Sequence, residues 1–197
     1  MNKDLQARVM ALKQNDDETR ARLITAGTLY DGYNQEMETV HVRNADELEA
    51  IINQFGWPIV SLVGAEAAEA AFVIAHHAIS EPAFQRTCLA LIGAAVRSGD
   101  VPVRHEAMLL DRIRFNERQP QVYGTIFDWD EKGEMSPWTI AHPETVDARR
   151  AEVGLMPLAD QIQRIRAETY KEGATPPVNY AGRQREIAEW SRAVGWV

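Results

Sequence analysis

A mainly apolar helix candidate, Gly64 to Ala78, carries two carboxylates and an imidazole along one side. At about 100° per residue, Glu66, Glu69, Val73 and His77 share a narrow stripe, and His76 lies just beside it. If that stripe is buried, each polar group needs a partner, because an unpaired buried charge is costly. The pattern then describes a polar pocket in which His77 acts as acid, base or ligand. A structural reading explains the same residues: carboxylates favour the first turns of a helix and a cation favours its last turn.

Two further segments offer chemistry. Asp111-Arg112 falls on a helix opened by Pro102, with Asp111 bordering the inner face and able to satisfy an imidazole N–H. Neighbouring charges of this kind also occur on ordinary surfaces, where they contribute little. Gln121-Val122-Tyr123-Gly124-Thr125 alternates, so that as a strand it presents Gln121, Tyr123 and Thr125 on one face. A glycine beside three hydrogen-bonding side chains suits the close approach of a ligand. A hairpin strand that packs Tyr123 on the helices is the structural alternative.

Other chemistries find no support. Neither Glu-x-x-His nor His-Glu-x-x-His occurs, and His41, His105 and His142 are scattered, so no metal and no cofactor is expected. Cys88 shares a core face with Phe84, Leu91 and Ala95 and reads as an inert buried thiol. No phosphate-binding loop, dinucleotide fingerprint or Gly-x-Ser-x-Gly elbow is present. The expected pocket therefore has His77, Asp111 and Tyr123 as catalytic residues, with Glu69, His76, Arg112, Gln121 and Thr125 around the substrate. In particular, His77 and Asp111 are expected to face one shared pocket. The function expected is small-molecule binding or cofactor-independent catalysis. The alternative is a non-catalytic interaction module in which the polar stripe is structural and Trp190 and Trp196 mark a partner surface.

The elements that must position these residues are mostly helices. Residues 2–30 read as one or two helices, with Asn15-Asp16-Asp17-Glu18 as a capping box that restarts the second, and Asp31-Gly32 as a turn. Asn44 followed by Glu47 is a second capping pattern, opening a short amphipathic helix that ends at Gly56-Trp57-Pro58. The alanine-rich helix follows as the central one, and Pro82 and Pro102 each open another. Val122 to Phe127, a turn at Asp130 to Gly133 and a return over Met135 to Ile140 read as a small β-hairpin. Further helices are expected over Pro143 to Ala151, Pro157 to Tyr170 and Arg183 to Ala193. The expected fold is mainly α: one helical domain over residues 1–172, then a Gly/Pro-rich linker and amphipathic helix over 173–197.

Composition narrows the partners. Of 197 residues, 45% are hydrophobic and 25% charged, an ordinary globular mixture. A formal net charge of -8 repels phosphate backbones and anionic lipid, so neither nucleic acid nor membrane is an expected partner. No stretch approaches the roughly 20 apolar residues of a bilayer span. The polar start and the lone cysteine make the cytoplasm the expected compartment. Oligomeric state is left open.

Several segments, in order, carry a resemblance. They are Gly56-Trp57-Pro58 with Ser61-Leu62-Val63-Gly64, Ile74-Ala75-His76-His77-Ala78, Pro82-Ala83-Phe84-Gln85-Arg86, Asp111-Arg112, Gln121-Val122-Tyr123-Gly124-Thr125, and Val146-Asp147-Ala148-Arg149-Arg150 with Gly154-Leu155-Met156-Pro157-Leu158. From about Asp17 to Leu158 the chain resembles a bacterial family of domains of unknown function (DUF6624-like). It departs from that pattern at His76 and Ile126, where the family carries Gln. The resemblance implies a compact bacterial domain and no particular reaction.

Overall fold

The structure, a computed structural model, describes residues 1–29 and 32–197. Tyr30, and the Asp31 half of the expected turn, lie outside the described residues. The chain is mainly α-helical with one small hairpin, as its periodicity predicts. It divides into two compact units, Met1–Leu109 and Leu110–Val197. No helix among the described residues is long and apolar enough to cross a membrane.

The first unit is a helical bundle. Its α1 (Lys3–Ala26) is one uninterrupted helix, capped by the Asn2 side chain and closed by Gly27 in the left-handed region. The expected restart at Asn15–Glu18 does not occur. Leu5, Val9, Asp16, Thr19 and Leu23 instead continue a single buried face at helical spacing. Helix α2 (Gln35–Phe55) is capped ten residues before the expected cap, because Asn34 takes the Glu36 and Met37 N–H groups. Asn44 is then interior and buried, and its amide donates to the Leu12 carbonyl of α1 at 3.0 Å.

After the short α3 (Val60–Val63) comes α4 (Ala65–His77), which packs against α1, α2, α3 and α5 (Pro82–Arg97). Ala67, Ala68, Ala70, Ala71 and Ala75 are all buried, and such small side chains let neighbouring helices approach closely. The end of α4 is capped from a distance: buried Gln85 donates to the Ala75 and His76 carbonyls at 2.7 and 3.1 Å. These are among the carbonyls that a helix end leaves without partners.

Helix α6 (Val103–Asn116) leads into the second unit. There β1 (Phe127–Trp129) pairs antiparallel with β2 (Met135–Pro137), Phe127 opposite Pro137. The turn falls where expected, with Asp130 accepting from the Lys132 and Glu134 N–H groups. The strands are shorter than expected. Gln121 makes only an isolated bridge to Ile140, and residues 122–126 form a loop. Helices α7 (Val146–Glu152), α8 (Leu158–Lys171) and α9 (Tyr180–Ala193) complete the unit. Helix α9 is tied to β1, since Arg183 donates to Asp128 at 2.8 Å.

Candidate functional site

The stripe on α4 is the least buried side of that helix, while its other faces are packed. Its members have separate fates. Glu69 accepts from Arg104 at 2.7 Å and lies 2.8 Å from Nε2 of His105, a fully buried ring stacked on Phe72. His76 turns inward beside Phe72, with ring centroids 5.5 Å apart. His77 ends the helix with a third of its side chain exposed, and its Nδ1 lies 2.7 Å from Asp16 Oδ2.

Around His77 two other helices contribute. Asp16 sits mid-α1 on the buried face and is 1% exposed. His41 stands one turn after Met37 on the inner face of α2. Its Nε2 is 3.6 Å from Asp16 Oδ1, and its ring centroid is 5.1 Å from that of His77. Tyr33 Oη and His41 Nδ1 share a hydrogen bond of 2.8 Å. Burial pushes the Asp16 carboxyl up, but the two imidazoles outweigh it and hold the group well below the usual carboxylate range. These groups open onto a cavity of about 170 Å³, lined also by Arg20, Leu29, Asn34 and Met37.

Two chemistries suit this arrangement. A carboxylate on Nδ1 orients an imidazole and raises its basicity, as in general acid–base sites. Two imidazoles and a carboxylate converging on one point are also a transition-metal ligand set.

The other expected site residues belong to a different structure. Asp111 is fully buried and does not serve His77. Its oxygens accept the Val122, Tyr123 and Thr125 N–H groups at 2.7–3.1 Å, and the Thr125 hydroxyl at 3.0 Å. Burial raises the Asp111 carboxyl above its ordinary value, against these bonds. Gln121, also fully buried, spans the loop by accepting from Ile126 N–H and donating to the Ile126 and Trp138 carbonyls.

The loop carbonyls are held in turn. Arg149 donates to Val122, and the buried Arg150 donates to Tyr123 and Gly124. Gly124 has φ +66°, so residues 121–125 cannot alternate as a strand. Tyr123, Thr125 and Arg112 are half-buried. Cys88 is fully buried and its thiol is pushed far up by burial.

Sequence reasoning singled out His77 but missed Asp16, His41 and Tyr33. The signal for two of them was periodicity. Asp16 continues the Leu5–Val9–Leu23 face, and His41 precedes Asn44, Ala45 and Leu48 on theirs. No curated protein and no solved structure matches the chain. The family match reaches beyond the motifs read in the sequence at both ends, covering α1 through α8. The chain belongs to DUF6624, a family of unknown function, which matches residues 3–172.

Proposed function

We propose that the protein binds a small polar molecule in the cavity around His77 and acts on it as an enzyme. The observation that carries this reading is convergence. Asp16, Arg20, Tyr33, Asn34, His41 and His77, drawn from separate segments, line one concave space. A few convergent polar groups in a concavity are what a ligand site requires. At about 170 Å³ the cavity holds roughly six water-sized groups. That suits a compact polar ligand or the head of a longer one. The alternative, an interaction surface marked by Trp190 and Trp196, has less to stand on. Trp196 is 4% exposed and Trp190 is half-buried.

The test is a thermal-shift screen of the full chain against small carboxylates, phosphate monoesters and amides, run with and without a chelator. Wild type should gain several degrees with at least one probe. His77→Ala should lose that gain. Equal gains in His77→Ala would refute the placement of the pocket. Because His77 also partners the buried Asp16, His77→Ala carries a cost of roughly 1–3 kcal/mol on either reading, and the lost ligand-induced gain is the deciding readout.

A further inference from the structure

Asp16 Oδ1 and His41 Nε2 are buried atoms without a hydrogen-bond partner, and they face each other across 3.6 Å. That is too long for a hydrogen bond. In the His41 tautomer that donates Nδ1–H to Tyr33 Oη, both of these atoms are acceptors, and a positive group between them returns to each what burial takes away. A cation would satisfy both atoms.

The third group is already in place. His77 Nδ1 is 2.7 Å from the other Asp16 oxygen, and one donor atom from each of the three residues lies within 4.8 Å of the others. We propose that Asp16, His41 and His77 bind one divalent transition-metal ion of the zinc class. Ligand bonds of about 2.0–2.2 Å set neighbouring ligand atoms roughly 3–3.5 Å apart. The His41 spacing to Asp16 Oδ1 is close to that range, and the His77 spacing to the other oxygen, Oδ2, opens by roughly half an ångström as metal replaces the proton between them.

The surroundings fit. The hydrogen bond at His41 Nδ1 fixes that ring and, with the tyrosine oxygen accepting, leaves the Nε2 lone pair for metal. The ligands are two nitrogens and one oxygen, a set that suits zinc, iron, cobalt or nickel better than calcium or magnesium. Three protein ligands leave coordination positions open, and His77, the most exposed of the three, marks the cavity side. The inference deepens the pocket reading, because the open positions are where a small molecule or an activated water meets the ion.

The experiment is titration of chelator-treated full chain with Co²⁺, read by visible d–d absorption and by equilibrium dialysis. One equivalent should bind with the intense bands of four- or five-coordination, and Zn²⁺ should displace it. His41→Ala, His77→Ala and Asp16→Asn should each weaken binding at least tenfold, and Tyr33→Phe by less. His142→Ala, at an exposed histidine, should change nothing.

A measurement without substitution guards against misfolded variants. Zn²⁺ should shift the ring nitrogens of His41 and His77, and not those of His142, in long-range ¹H–¹⁵N spectra of wild type. Absence of stoichiometric binding, or binding that survives His41→Ala and His77→Ala together, would overturn the site. Small-molecule stabilisation of chelated protein without Co²⁺ uptake would also overturn it while sparing the pocket. Co²⁺ uptake with no small-molecule response would spare the metal site and sink the pocket.

Discussion

Replacing Asp111 with Asn keeps the shape of the side chain and changes what it can accept. The carboxylate takes the N–H groups of Val122, Tyr123 and Thr125 and the Thr125 hydroxyl. In Asn, Oδ1 keeps the Val122 and Tyr123 bonds, while Nδ2 stands where the two Thr125 donors converge. The hydroxyl can rotate and accept from Nδ2. The Thr125 N–H cannot, and a buried donor without an acceptor costs about 1–3 kcal/mol.

The two bonds that remain lose their charge assistance, about another 1 kcal/mol together. Against this, the amide spares the fold a buried charge, the same cost that raises the Asp111 pKa. The net expectation is a loss of about 2–3 kcal/mol. Four of the five tryptophans, Trp129, Trp138, Trp190 and Trp196, lie in the second unit, so fluorescence during urea unfolding reports on it. The midpoint should fall by about 1–2 M urea. A midpoint unchanged within the error of the fit would mean that packing, and not this carboxylate, holds the loop.

Gly124→Ala should destabilise the same unit by at least about 1 kcal/mol, because φ is +66° and an added Cβ would meet Ile140 Cδ1 at 2.6 Å. Adding Ile140→Val should recover part of that cost, and thermal melts of the single and double variants check it. Truncation after Gly173 removes the Arg183 bond to Asp128 and buried Ser191 and Trp196. It should lower the Tm of the second unit by several degrees, and an unchanged calorimetric transition would show α9 to be an accessory. Burial holds His105 below its ordinary 6.5 despite Glu69. Its folded pKa is the depressed one, so its stability contribution is full above pH 6.5 and falls as the pH drops toward the folded pKa. NMR titration should find the ring still neutral at pH 6.5, and a midpoint at or above that value would refute the argument.

Helix content and the order of the elements were legible because they rest on local periodicity and on proline positions. Pro82 opens α5, and the alanine-rich helix is central as expected. The candidate site was legible only at His77. A polar residue inside an apolar stripe looks the same in sequence as part of a helix start: Asp16 sits in a segment that reads as a capping box, and Asn44 reads as a cap. Their burial depends on which helices meet, which no local pattern encodes. The loop was misread for a related reason. Gln121, Tyr123 and Thr125 alternate, but a buried carboxylate at Asp111 competes for the N–H groups that a strand would have used.

That loop has a consequence for the order in which the second unit assembles. Its N–H groups are met by Asp111, 11 to 14 residues before them in the chain. The Tyr123 and Gly124 carbonyls wait for Arg150, 26 to 27 residues after them. As the chain lengthens from its N-terminus, the Val122, Tyr123 and Gly124 carbonyls do not meet Arg149 and Arg150 until α7 emerges. Residues 122–126 are therefore fixed late, by the closing of a long sequence interval and not by the growth of a neighbouring strand. Their lack of regular structure disguises contacts that reach 26 to 27 residues along the chain, whose formation is slowed by the entropy of bringing α7 back to them.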